Sequence, residues 1–212
     1  MKHRYIAVEG AIGVGKTSLV EALVARFDSS KILETIDNPF LDDFYNDRPS
    51  AAFQAQLFFL LSRYRQLIDL AQKDLFSKLV IADYLLEKDK IFAYLNLTDD
   101  ELIIYDKLYS LLEENVPRPD LTIYLEAGTD VLMERIRKRR RGVEANISEK
   151  YIAEVNRSYN HFFFHYKTTP LLVVNTSEID FVGREEDLED LIEQIDSMER
   201  GVQYYVPLGS RV

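Results

Sequence analysis

The sequence predicts an α/β fold: a doubly wound, five-stranded parallel sheet flanked by helices, with a glycine-rich loop after the first strand and an arginine-rich segment after the fourth. Three observations carry this. Five short apolar runs, at residues 5–8, 31–33, 79–82, 121–125 and 171–174, are separated by longer stretches of helical spacing. The runs are continuously apolar, as parallel strands buried on both faces are, and do not alternate in and out of a core. Finally, Gly10-Ala11-Ile12-Gly13-Val14-Gly15-Lys16-Thr17 stands between the first run and the first helix.

Each element has its own signal. The first strand starts almost at once, so no signal peptide is expected. Helical spacing follows over 17–27, and the second strand ends in Glu34, before Thr35-Ile36-Asp37-Asn38-Pro39. Residues 50–75 form a long pattern rich in Phe and Leu and apolar around much of its circumference, which predicts burial on more than one side. The third strand ends in Asp83-Tyr84, and a helix over 99–114 begins at a capping Thr98 or Asp99. Helices over 130–141 and 148–166 surround the fourth strand's exit, and one over 185–198 follows the fifth strand. The tail from 203 to 212 predicts no element. One domain over 1–212 is expected, with a lid at about 135–147.

Composition narrows the function. A chain of 212 residues can bury one full core and is short for two large domains. A net charge of −10 repels polyanions, so no nucleic-acid partner is expected. The absence of cysteine removes disulfides and thiolate chemistry and fits a cytoplasmic protein. No run approaches ~18 apolar residues, so no membrane span is expected.

The glycine-rich stretch has the G-x-x-x-x-G-K-[ST] spacing. Its glycines let successive N–H groups turn inward around phosphate oxygens, and the following helix adds its positive end. ATP is therefore the expected ligand of Gly10, Ala11, Ile12, Gly13, Val14, Gly15, Lys16, Thr17 and Ser18. Lys16 would reach the β- and γ-phosphates, and the Thr17 hydroxyl would coordinate Mg²⁺. Asp83 at the third strand's end would be the second Mg²⁺ residue; an aspartate capping the next helix is the plainer alternative. Glu34 at the second strand's end could accept the proton of an attacking hydroxyl, unless it is an exposed loop glutamate. Five arginines lie within Arg135–Arg141. On an acidic chain with this loop they read as a lid over a transferring phosphoryl group; a solvated helix face or a nucleic-acid patch is the alternative. The Asn-Lys-x-Asp element of a GTPase does not occur.

With these pieces placed, the chain resembles the deoxyribonucleoside kinase family, from about residue 5 to 175. The matching stretches are Glu9-Gly10 to Lys16-Thr17, then Glu34 with Asn38-Pro39-Phe40-Leu41, Phe44-Tyr45, Gln56 to Arg63, Asp83 to Asp89, and Arg135 to Glu144. The resemblance implies a P-loop kinase fold and transfer of the ATP γ-phosphate to a deoxynucleoside 5′-hydroxyl; the Arg63/Asp89 pair, which can present complementary donors and acceptors to purine ring edges, ranks purines ahead of pyrimidines. It implies Glu34 as base, with Tyr45 and Glu144 on the sugar 3′-hydroxyl. Gln56 would read the base edge with both ends of its amide, Arg63, Asp89 and Phe92 would line the base pocket, and Arg135, Arg139 and Arg141 would be the lid arginines. Phe53-Gln54 competes for the family's Phe-Gln register, but Gln56 keeps Tyr45 and Arg63 in step. In the family the loop after the fifth strand, 174–181, covers adenine. Two departures stand out: Glu34-Thr35 where the family often has Glu-Pro, and Asp83-Tyr84 where it usually has an acid followed by Arg. A lid arginine or the Tyr84 hydroxyl could serve in that Arg's place. A homodimer through the long helix and the 99–114 helix is expected. A nucleoside monophosphate kinase of the thymidylate type and a non-catalytic nucleotide-binding module remain as rival readings.

Overall fold

The computed structural model describes residues 2–34, 37–46, 48–72, 79–139 and 147–207. Strand β1 (Tyr5–Gly10) leads into α1 (Lys16–Arg26), and β2 (Ser29–Ile32) into α2 (Leu41–Tyr45) and α3 (Ala51–Gln72). Next come β3 (Leu79–Ala82), α4 (Lys88–Asn96), α5 (Asp99–Glu113), β4 (Leu121–Glu126), α6 (Thr129–Arg139) and α7 (Glu149–Phe164). Strand β5 (Leu171–Asn175), α8 (Glu185–Ser197) and β6 (Val202–Tyr205) complete the order.

The sheet runs β2-β3-β1-β4-β5-β6, and every neighbouring pair is parallel. It has six strands, against the five expected. The sixth is the short stretch Val-Gln-Tyr-Tyr, which pairs on one side only, with β5. Its order comes from that pairing, so its own four residues carry too little apolar pattern to announce a strand.

All six residues of β1 are buried. The core forms two apolar clusters, one joining the sheet to α1, α6, α7 and α8, the other joining it to α3 and α5. Local chemistry fixes the helix starts. Thr98 and Glu101 form a reciprocal capping box on α5, and Ser148 caps α7 by accepting from the Tyr151 N–H at 3.2 Å. The chain leaves β1 toward β3 and β2 on one side, and toward β4 on the other. That reversal opens a crevice at the carboxyl ends of β1 and β3, where an open parallel sheet seats its ligand. The expected long helix is α3, ending at Gln72, whereas α2 and α4 are two short helices that the spacing did not announce.

Candidate active site

The loop from Gly10 to Gly15 turns at the carboxyl end of β1 into the first turn of α1. Gly13 has φ of +86°, and a Cβ there would lie 2.8 Å from Ile136 Cγ1 and 2.9 Å from the Leu132 carbonyl. Only glycine fits that position. Gly15 takes the left-handed conformation as the N-cap of α1. The Lys16 ammonium lies across the loop, donating to the carbonyls of Gly10 at 2.6 Å and Ala11 at 3.2 Å. Burial lowers its pKa, and the neighbouring Lys88 charge lowers it further. Ile12 to Ser18 line a cavity of about 970 Å³, while Gly10 and Ala11 lie behind, holding Lys16.

Asp83 connects this loop to the next wall. Its Oδ2 accepts from the Thr17 hydroxyl at 2.9 Å, and its Oδ1 from the Glu34 N–H at 2.7 Å. It does not cap the following helix, whose N-cap is Glu87. Asp83, Thr17 and Glu34 line the same cavity.

The Glu34 carboxylate faces the cavity with 26% side-chain exposure. Its Oε1 accepts from Arg63 Nε at 3.0 Å and also from Arg63 Nη2. Its Oε2 accepts from Lys88 Nζ at 2.8 Å. Burial alone would raise its pKa, but the charges and hydrogen bonds of Arg63 and Lys88 hold it well below the usual carboxylate range. The other end of the Arg63 guanidinium bonds Asp89 Oδ1. Arg63 is thus a buried bridge between two carboxylates, itself lying over the Phe59 ring at 4.8 Å.

The expected base-pocket residues separate into two layers. Gln56, Arg63, Tyr45 and Phe92 line the cavity, with the Phe92 ring edge-on to Tyr159 at 6.0 Å. Asp89 is completely buried behind them. The Gln56 amide nitrogen donates to the Asp89 carbonyl at 2.9 Å and to Asp89 Oδ1 at 2.7 Å. Pairing with a base through both ends of the amide therefore requires Gln56 to exchange a partner. Gln54 is exposed, so of the two competing glutamines the cavity holds Gln56.

Arg135 staples the loop to the far end of the sheet. Its guanidinium donates to the Val14 carbonyl at 3.0 Å, to Thr176 Oγ1 at 3.1 Å and to the Thr176 carbonyl at 2.6 Å. Ile179, Asp180 and Phe181 of the following loop line the cavity beside the phosphate loop. The side chain of Arg139, and Arg141 and Glu144 altogether, lie outside the described residues. Tyr84 is fully buried and donates its hydroxyl to Gln66 at 2.8 Å, so it does not meet the cavity. The sequence reading missed Lys88, Glu9 and Thr176. A lysine five residues past Asp83 in place of an adjacent arginine was the available signal for Lys88.

A loop shaped to cage phosphates faces an ionised carboxylate across one shared cavity, and this pairing defines a P-loop phosphotransferase. The family model for deoxynucleoside kinases matches residues 6–199. A deoxyguanosine kinase of Bacillus subtilis (strain 168) is 37% identical over 193 residues, covering 87% of this chain and 92% of the relative. A deoxyadenosine/deoxycytidine kinase of the same organism is 30% identical over 208 residues, covering 93% and 94%. The solved deoxyadenosine kinase of M. mycoides with bound dATP superposes with a TM-score of 0.78 at 25% identity, covering 92% of this chain and all of that one. The chain belongs to the deoxynucleoside kinase family.

Proposed function

We propose that this chain transfers the γ-phosphate of ATP to the 5′-hydroxyl of a deoxynucleoside, purines preferred. The observation that carries the reading is the placement of Glu34: its backbone is tied through Asp83 to Thr17 of the phosphate loop, and its carboxylate opens on the cavity. A 5′-hydroxyl between that carboxylate and the loop would be in line with a phosphoryl group held by the loop amides and Lys16. Glu34 takes the hydroxyl proton as the new O–P bond forms and the bond to ADP breaks. The acceptor base would lie among Gln56, Arg63, Phe92 and Tyr159, and its sugar near Tyr45.

Mg²⁺ fits the donor set. The Thr17 hydroxyl and the Asp83 carboxylate are hard oxygen donors 2.9 Å apart at the loop. Among the described residues no three His, Cys, Asp or Glu side chains cluster as a metal site. The ion would thus complete its shell from phosphate oxygens and water, and would neutralise charge on the β- and γ-phosphates. Residues 1–212 act as one catalytic unit in this reading, with Arg139, Arg141 and Glu144 in the lid.

Among the described residues no helix is long and apolar enough to cross a membrane. The reading places the enzyme in the cytoplasm with its ATP. It also makes the enzyme a homodimer: Ile103, Ile104, Leu108 and Leu111 of α5 and Leu61 of α3 are large apolar side chains left exposed. Sedimentation as a monomer at micromolar concentration would refute the dimer. The reaction is tested by ADP release with ATP, Mg²⁺ and each deoxynucleoside or its monophosphate. Turnover with monophosphates alone would replace this reading by a monophosphate kinase.

A further inference from the structure

We infer that Lys88 is a catalytic residue whose ammonium contacts the phosphoryl group during its transfer and afterwards holds the 5′-phosphate of the product. This rests on the reaction just proposed. Lys88 opens α4, and only 3% of its side chain is exposed, yet it lines the cavity. An ammonium carries three N–H donors. One goes to Glu34 Oε2 at 2.8 Å, and Glu9 Oε1, at 4.0 Å, is beyond hydrogen-bond range. Among the described residues no other acceptor bonds it, so donors remain for an oxygen entering the cavity.

Among the described residues, the other cations around this corner are engaged with partners of their own. Arg63 is divided between Glu34 and Asp89. Arg135 is spent on Val14 and Thr176, and Lys138, at the solvent-exposed rim of the cavity, pairs with Glu134 at 2.6 Å. Tyr84, next to Asp83, brings no charge and is turned into the core. Among the described residues, Lys16 and Lys88 are the ammonium groups that line the cavity beside Glu34, and the Lys88 charge is near enough to lower the Lys16 pKa. Lys16 is held by the phosphate-loop carbonyls, and Lys88 by Glu34. Lys16 serves the donor side, and Lys88, bonded to the carboxylate that receives the acceptor's proton, serves the acceptor side. Through the step the 5′-hydroxyl proton passes to Glu34, the phosphorus exchanges its ADP oxygen for the 5′-oxygen, and Lys88 keeps its proton throughout. A fixed cation there stabilises charge on the equatorial oxygens, where it adds most to the rate.

Lys88→Gln tests this, because its amide can still donate to Glu34 Oε2 while the charge is removed. Calorimetric titration compares deoxyguanosine and deoxyadenosine with their 5′-monophosphates. Nucleoside affinity is expected to change less than about threefold, and monophosphate affinity to fall about 10–100-fold, the scale of one lost hydrogen bond between charged groups. The kcat is expected to fall about 10²–10³-fold, the scale of one lost transition-state donor. Equal weakening of nucleoside and monophosphate, or an unchanged kcat, would overturn the assignment. A wild-type measurement stands beside it in case the variant does not fold. In ¹⁵N-lysine-labelled protein, the Lys88 Nζ resonance, identified by its loss in Lys88→Arg, is expected to move with the monophosphate far more than with the nucleoside. Equal shifts would sink the proposal. The binding arms need no turnover, so a wild type inert toward every deoxynucleoside would overturn the reaction class separately.

Discussion

Replacing Glu34 by Gln separates the catalytic role of that carboxylate from its structural one. The amide is isosteric and keeps an acceptor for Arg63, but it sets an NH₂ group where Oε2 accepted from Lys88 at 2.8 Å. Lys88, 3% exposed, then loses its direct counter-charge; its remaining ion pair among the described residues is with Glu9 at 4.0 Å. Arg63 retains Asp89. Leaving one buried charge partly unpaired costs about 1–3 kcal/mol, less than breaking an isolated buried pair because Glu34 is partly exposed. For a chain of this size that lowers Tm by roughly 2–12 °C. The chemical loss is larger: a positioned general base contributes about 10²–10⁴ in rate. A carboxylate held as low as Glu34 is a weak base. It nevertheless suits a loose phosphoryl transition state, in which the attacking alcohol gives up its proton late. The expected result is a folded variant with kcat down by about 10²–10⁴ and an ATP KM within a few-fold of wild type, since the phosphate loop is untouched. ADP release measured beside thermal unfolding reads both. A folded variant retaining more than about one-tenth of wild-type kcat would refute the base assignment.

Further expectations follow from the same contacts. Arg63→Met strands the fully buried Asp89 carboxylate and frees Glu34, so denaturant titration should show a loss of about 3–5 kcal/mol; a loss under about 1 kcal/mol would mean the bridge is not structural. Gly13→Ala puts a methyl 2.8 Å from Ile136 Cγ1 in a left-handed turn, so ATP affinity by titration should fall at least tenfold, with about 1–2 kcal/mol of strain; unchanged ATP binding would contradict the loop geometry. Acid titration should reveal Glu34. Its folded pKa is depressed, so its contribution is fully present above the ordinary carboxylate value of 4.5 and is lost as pH falls from there toward the folded value. The stability gap between wild type and Glu34→Gln should therefore be constant from pH 6 upward and shrink below about pH 4; a gap that widens in acid would reverse the assignment. Arg135→Gln should raise the ATP KM about tenfold with kcat little changed, because it loosens the staple between Val14 and Thr176.

What the sequence determined by itself is what local spacing encodes. Eight consecutive positions specify the phosphate loop, because positive-φ glycines and a helix start are properties of neighbouring residues. Continuous apolar runs announce β1, β3, β4 and β5, because both faces of a central parallel strand are buried; β2, at the sheet edge and only half-buried, carries a weaker signal. Glu34 and Asp83 could be named from their places at strand ends, and Gln56 and Arg63 from the resemblance to the kinase family. The tertiary structure decided everything that depends on distant partners. Strand β6 exists because Gly201 and the residues after it lie against β5, and four residues lack the periodicity to announce it. Asp83 became the link between Thr17 and Glu34, and Asp89 moved behind the wall that Gln56 and Arg63 present. Lys88 came to the centre while Tyr84, whose position matches the family's arginine, turned into the core. The physical reason is reach. A long side chain entering from a different helix can place its charge where a neighbour in sequence does not, and only the packing of α4 against α3 and α7 says which residue gets there.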